Sequence, residues 1–354
     1  MEELHDAEPR LVAVQQRVVG RAPGRVNLIG EHTDYNGGLC LPFALPQTTT
    51  AAATVREDDQ VRIVSRQVDE QWEGHLGSLG PGQVDGWAAY AAGVLWVLRE
   101  SGWPVPGLDI EIDSTVPLGA GLSSSASLEV AVAVAVAGLL GLPITPDLRR
   151  DLVEVCRRAE TEVAGAPTGG LDQTAALLCR ADHALLIDFS DGTTRDVPLP
   201  LADAGLVVLV IDTRVHHEHA TGGYAQRRAE CEAGHPRRMR HVVTENDRVR
   251  GAVDAVEHAE WDRLGRFMVG SHVSLRDDFE VSCPELDTAV AAALGAGALG
   301  ARMTGGGFGG SAIALVRRTD ADRASAVIGK AFADAGHREP RFILVEPSAG
   351  AGLD

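Results

Sequence analysis

The sequence predicts an α+β protein of two domains, and three observations carry that expectation. At 354 residues the chain is too long for one ordinary core. Segments 48–64 and 206–212 are β-branched or alternate and read as strands, whereas 87–100 and 147–162 repeat their apolar residues at helical spacing. A polar, loop-like stretch after Ser190, SDGTTRDVPLPLADAG, places the boundary near residue 195 and gives domains of 1–195 and 196–354. Hydrophobic residues make up 45% of the chain but aromatics only 4%, so the cores must be built from Ala, Val and Leu.

The charge balance narrows the partners. A formal net charge of −18 argues against nucleic acid or an anionic membrane, because both require a basic face. The five cysteines, Cys40, Cys156, Cys179, Cys231 and Cys283, are widely spaced and form no CxxC pair, so they read as reduced thiols. Residues 1–10 are acidic and lack the basic and apolar regions of an export signal. The longest apolar run, 128–142, is shorter than the ~20 residues a membrane span needs. A cytoplasmic protein is expected, monomeric or at most a weak dimer.

Taken in order, the chain alternates structural elements with chemistry-bearing loops. From Val18 two short apolar segments flank a cluster of Arg25, Asn27, Glu31, His32, Asp34, Tyr35 and Asn36, a set suited to a polyhydroxylated ligand because each carboxylate can accept from two hydroxyls. Segment 87–100 has a helical apolar face. Segment 117–129, PLGAGLSSSASLE, is a glycine and serine loop opening into an apolar run that Gly141 and Pro143 stop. Such a loop, at a helix N-terminus, offers backbone N–H groups and a positive dipole end to an anion. Segment 147–162 is an amphipathic helix with Leu148, Leu152, Val155 and Ala159 on one face. The breakers Gly165, Pro167, Gly169 and Gly170 then deliver Asp172 to the start of another helix, where capping is its simplest role.

In the second half, His216, His217 and His219 match no standard zinc spacing and have no cysteine nearby. Segment 227–268 reads as charged surface helices without chemistry, 286–299 as an Ala-rich helix, and 304–310 as a glycine loop before a strand. The tail EPSAGAGLD reads as frayed.

Three motifs carry a family resemblance. GRVNLIGEHTDY at 24–35 resembles the galactokinase signature, PLGAGLSSSASLE resembles the ATP-binding motif of the GHMP kinase superfamily, and TGGGFGGSA at 304–312 resembles that superfamily's C-terminal glycine-rich motif. The resemblance implies a two-domain GHMP kinase fold of mixed sheets covered by helices, with the active site between the domains, and leaves open that the last strand returns to the N-terminal domain. It implies phosphorylation of the C1 hydroxyl of α-D-galactose by ATP with Mg²⁺. Asp172, in GGLDQ, and Arg25 would be the catalytic pair. Arg25, Glu31, His32, Asp34, Gly169, Asp172 and Tyr224 would bind galactose. Trp87 and Tyr90 would line the adenine pocket, with Leu118, Gly119, Ala120, Gly121, Leu122, Ser123, Ser124 and Ser125 around the nucleotide, and Ser125 and Glu160 would hold the metal. The histidine-rich loop would lie on the sugar side.

Residue chemistry agrees with a GHMP-type solution. The only lysine, Lys330 in IGKAF, cannot belong to a Walker A loop. An arginine beside Asp172 would favour the ionised acid and could stabilise charge on the transferring phosphoryl group. The alternatives are a related sugar 1-kinase acting on N-acetylgalactosamine, arabinose or galacturonate, and a galactose and ATP sensor without turnover. Sensors of that type resemble the kinases but lose part of the GLSSSAS loop, which is intact here.

Overall fold

The computed structural model describes residues 16–216 and 220–354. The acidic start at 1–10 lies outside the described residues, as do the side chains of His216, His217 and His219.

The first half begins with β1 (Arg17–Asn27), β2 (Leu39–Cys40), β3 (Pro42–Val55), β4 (Gln60–Ser65) and β5 (Val68–His75), followed by α1 (Ala88–Glu100) and β6 (Leu108–Ser114). It continues with α2 (Ser124–Leu139), α3 (Pro146–Arg158), α4 (Leu171–Leu178), β7 (His183–Asp188) and β8 (Thr193–Pro198). The second half contains β9 (Leu206–His216), α5 (Ala220–Glu232), α6 (Pro236–Glu257), α7 (Trp261–Ser274) and α8 (Pro284–Gly295). After these come β10 (Gly300–Thr304), β11 (Gly309–Arg317), α9 (Ala321–Asp334), β12 (Arg341–Val345) and β13 (Gly352–Leu353).

The strands form a six-stranded sheet in the order β13-β1-β3-β6-β4-β5, a four-stranded sheet β10-β11-β9-β12 and a three-stranded sheet β2-β7-β8. The largest is mixed, since β4 runs parallel to β6 while β1, β3 and β6 pair antiparallel. Helix α2 lies across β1 and β3. Its residues from Glu129 to Leu139 are all buried, which explains why the sequence shows no polar stripe there. Close packing needs Gly20 on β1, where a Cβ would fall 2.2 Å from the carbonyl oxygen of Ala131. The four-stranded sheet is covered by α8 and α9 on one face, with Leu209, Ile211, Phe279, Leu286 and Phe332 in the core between.

A second core joins the halves. Val26, Leu28, Phe43 and Leu45 from the first half pack with Val208, Val210, Val249, Leu264 and Ile313 from the second. The signature loop after β1 is therefore wedged between both halves.

Two expectations are corrected. Segment 346–354 is tied down rather than frayed: Ser348 donates to Ala44, Ala351 to Ala176 and Asp354 to Val19, and β13 pairs with β1 at Gly20 and Arg21. Segment 227–268 is not a solvated surface either, because α6 buries Arg238, His241 and Glu245, whose partners lie in other parts of the chain.

Candidate active site

The site forms where β1 leaves its ladder. The register between β1 and β3 shifts between Pro23 and Arg25. At that irregularity the Arg25 N–H bonds instead to the carbonyl of Leu122 in the glycine and serine loop, at 3.2 Å. Such irregularities re-aim side chains. Arg25 points its Nε and Nη2 at Oδ1 of Asp172, at 2.8 and 2.7 Å, and its Nη1 at the carbonyl of Gly121, at 2.7 Å. Asp172 sits in the first turn of α4, whose cap, Gly170, adopts a left-handed conformation. Its carboxylate does not simply cap the helix: Oδ2 accepts the Ser123 hydroxyl at 2.5 Å.

The loop 117–123 ends on Ser123, the cap of α2, which makes no side-chain cap bond. The first N–H groups of α2 lack intrahelical partners, the arrangement by which a helix N-terminus can hold an anion. Ser125, one residue into α2, donates to Oε1 of Glu160 at 3.0 Å. Glu160 is carried by a π-helical turn, Ala159–Val163, that follows α3. Turns of this kind occur at functional sites and have no composition signature, so only the structure reveals this one. Gln173 bridges two buried acids, donating to Glu160 at 2.6 Å and to Glu129 at 3.0 Å. Burial, and then the charge of Asp172, push the Glu160 carboxyl up to about 7.

The signature loop builds the opposite wall. His32 is buried, with Nδ1 2.8 Å from the Tyr35 hydroxyl and Nε2 3.2 Å from the carbonyl oxygen of Gly306. A carbonyl only accepts, so Nε2 carries the proton and Tyr35 donates to Nδ1. Burial, then His241, lower the His32 pKa to about 3, which keeps the ring neutral. Its ring centroid lies 5.5 Å from that of Tyr224 and 4.7 Å from that of Phe279. Asp34 lies in a short 3-10 turn and approaches Gly169 so closely that a Cβ there would sit 2.1 Å from Oδ2. Burial, and then Asp172, raise the Asp34 carboxyl to about 7.

Glu31 is committed to the frame. Its Oε1 accepts from the Gly305 N–H at 2.8 Å, Thr304 at 3.0 Å and Arg302 at 3.3 Å, and its Oε2 accepts from Asn27 at 3.0 Å. Arg302 is fully buried and also donates to the Ser271 hydroxyl and to the carbonyls of Asn27 and Leu28. Glu245 accepts from the Gly30 N–H at 3.0 Å and from Ser271 at 2.6 Å. Although burial raises its carboxyl, His241, Arg248 and Arg302 outweigh that effect and hold it below the ordinary range. Sequence reading missed this network. Its signal was the polar Arg302 inside the otherwise buried strand GARMT.

These residues enclose a cleft of about 960 Å³. Of the anticipated sugar-side residues, Arg25, Glu31, His32, Asp34, Asp172 and Tyr224 line it, while Gly169 stands behind Asp34. Of the loop, Gly119, Gly121, Leu122, Ser123, Ser124 and Ser125 line it, together with Glu160. Trp87, Tyr90, Leu118 and Ala120 are not on its wall: Trp87 packs against the core between α1, α2 and the six-stranded sheet, Leu118 is exposed and Ala120 is fully buried. Burial, then the charges of Glu160 and Glu129, raise the Tyr90 hydroxyl pKa. Arg228 and Glu232 of α5 join the wall unanticipated, with Arg228 5.9 Å over the Tyr35 ring. The assembly pairs a carboxylate and guanidinium with an anion cradle, an arrangement able to activate a hydroxyl beside a phosphate.

Comparison with known proteins points the same way. Residues 11–55 match the model of the galactokinase galactose-binding signature, 89–180 that of the GHMP kinases N terminal domain, and 252–334 that of the GHMP kinases C terminal domain. The chain is 45% identical to a galactokinase of Streptomyces coelicolor over 99% of this chain and 95% of that protein. It is 42% identical to a galactokinase of Mycobacterium bovis over 93% of this chain and 97% of the relative. The crystal structure of Lactococcus lactis galactokinase complexed with galactose superposes with a TM-score of 0.89 at 30% identity, covering 96% of this chain and 95% of that one. The Methanococcus jannaschii mevalonate kinase, at 19% identity and a TM-score of 0.75 over 94% of this chain and 98% of the other, shares the fold.

Proposed function

This chain belongs to the galactokinase family of the GHMP kinases, and on that premise we propose that it transfers the γ-phosphoryl group of ATP to the C1 hydroxyl of α-D-galactose. The observation that carries the mechanism is the Asp172 carboxylate held by Arg25 and Ser123 between the signature loop and the α2 N-terminus. In this reading Asp172 accepts the hydroxyl proton as the O–P bond forms. Arg25, fixed by Asp172 and the Gly121 carbonyl, stabilises charge on the phosphoryl group in transit. The backbone of loop 119–125 and the free N–H groups of α2 hold the phosphates; with Trp87 and Tyr90 off the cleft wall, the adenine extends past it toward the exposed Leu118. His32, Asp34, Tyr224 and the backbone of Gly169 read the sugar hydroxyls, with Glu31 completing the pocket floor.

The donor set fits magnesium. Ser125 and Glu160 offer a hydroxyl and a carboxyl oxygen 3.0 Å apart, and the burial and Asp172 charge that raise the Glu160 carboxyl would be offset by a cation. When bound, the ion would neutralise phosphate oxygens of ATP. Two protein ligands suit a metal that keeps its waters, and among the described residues no cluster of three or more His, Cys, Asp or Glu offers a rival site. Among the described residues no helix is long and apolar enough to cross a membrane, and all five cysteines are free and buried. We further propose a monomeric protein of the cytoplasm, where the unpaired cysteines would stay reduced.

The test is ADP release over a panel of galactose, glucose, N-acetylgalactosamine, talose and arabinose. Galactose-dependent release is expected. A protein stabilised by both ligands without release would be a sensor. Asp172→Ala should lower kcat by roughly 10²–10⁴ with KM for galactose changed far less, and near-normal turnover would remove Asp172 from its role.

A further inference from the structure

We propose that Ser123 is a positioning residue for Asp172, acting on the acceptor side of the reaction and not on ATP affinity; the inference rests on the kinase reading above. Arg25 anchors only one oxygen of Asp172, because Nε and Nη2 both converge on Oδ1. A carboxylate held at one oxygen keeps a broad, soft torsion about its Cβ–Cγ bond. The Ser123 hydroxyl, donating to Oδ2 at 2.5 Å, supplies the second point that fixes the carboxylate plane. Oδ2 retains a lone pair for an incoming sugar hydroxyl, so the serine need not leave when substrate arrives.

The backbone argues that this hydroxyl is required. Ser123 has φ of 60° and ψ of 48°, a left-handed conformation that disfavours any residue with a Cβ. Glycine would sit there without strain and is itself an acceptable helix cap. The serine does not compensate by capping, since its side chain makes no bond to the helix. Its one side-chain partner among the described residues is Asp172, and both line the cleft. Because the hydroxyl turns away from α2, the first N–H groups of that helix stay available to phosphate. One residue thus leaves the anion cradle open and orients the acid beside it.

The experiment compares Ser123→Gly and Ser123→Ala with wild type by steady-state kinetics for both substrates and by thermal unfolding. Glycine removes the hydroxyl and the strain together, whereas alanine removes the hydroxyl and keeps the strain. Both variants should lose on the order of ten- to hundredfold in kcat, the worth of a charge-assisted hydrogen bond. KM for ATP should stay within about twofold on the same reasoning, and Ser123→Gly should melt no lower than Ser123→Ala. Wild-type kcat in folded Ser123→Gly, or a raised KM for ATP at unchanged kcat, would overturn the inference. Wild-type protein that releases no ADP with any sugar would instead sink the kinase reading, so the two failures are distinguishable.

Discussion

At the residue scale, the recognition wall depends on one missing Cβ. Gly169 lets Asp34 approach so closely that alanine would collide with Oδ2 at 2.1 Å and with the Asp34 Cβ at 2.9 Å. The glycine has no positive φ to protect, so Gly169→Ala tests close approach alone. We expect the variant to fold, to raise KM for galactose by about tenfold, an effect of ~1.4 kcal/mol, and to leave KM for ATP near its starting value. Equal losses for both substrates would show that the loop, not Asp34, had moved. His32 and Asp34 were legible in the sequence because Gly, Asn, Asp and His crowded into 24–36 have few structural uses together, whereas Gly169 and Tyr224 followed only from the family resemblance and Phe279 was missed. Their partners were not legible. That Glu31 holds Gly305, and that Ser123 holds Asp172, depends on contacts between segments 274 and 49 positions apart.

At the scale of elements, the placement of α2 governs the proposed phosphate cradle. The helix is pressed onto β1 at Gly20, where a Cβ would lie 2.2 Å from the Ala131 carbonyl oxygen and 2.6 Å from the Ala135 nitrogen. Both are backbone atoms, so Gly20→Ala cannot be absorbed by a rotamer change and must lift the helix. A loss of about 1–3 kcal/mol in unfolding free energy is expected, typical of overpacking, and should be visible as a lower denaturation midpoint. Because Ser124, Ser125 and the free N–H groups of its first turn ride on the same helix, KM for ATP should rise as well. An unchanged midpoint would mean that β1 yields instead. The apolar run 128–142 already announced a buried helix. The π-helical turn that presents Glu160 was invisible, since it arises from how α3 ends against α1 and α2, not from a residue type.

For the whole molecule, the α+β class followed from composition and punctuation, whereas the mixed sheets and helical covers followed only from the resemblance of three motifs to the GHMP kinases. The second core, shared by both halves, did not, because the apolar strands of each half look the same in sequence whether they face their own domain or the other. Charge acts at this scale too. Asp34 and Glu160 are both harder to ionise in the fold than in the open chain. Their contribution to stability is therefore complete below the ordinary carboxylate range near 4 and is surrendered as pH rises through about 7. Without ligands, the wild-type melting temperature should fall from pH 5 to pH 8 more steeply than that of Asp34→Asn. Parallel curves for the two proteins would refute this. The pairing of β13 with β1 has a consequence in time. Arg21 and Asp354, which form an ion pair at that edge, are 333 positions apart. A ribosome adding about 5–20 residues per second takes roughly 17–67 s to cover that distance. During that interval β1, the first strand among the described residues, waits with one edge unfilled, and the nascent chain must be kept from pairing it with a stranger.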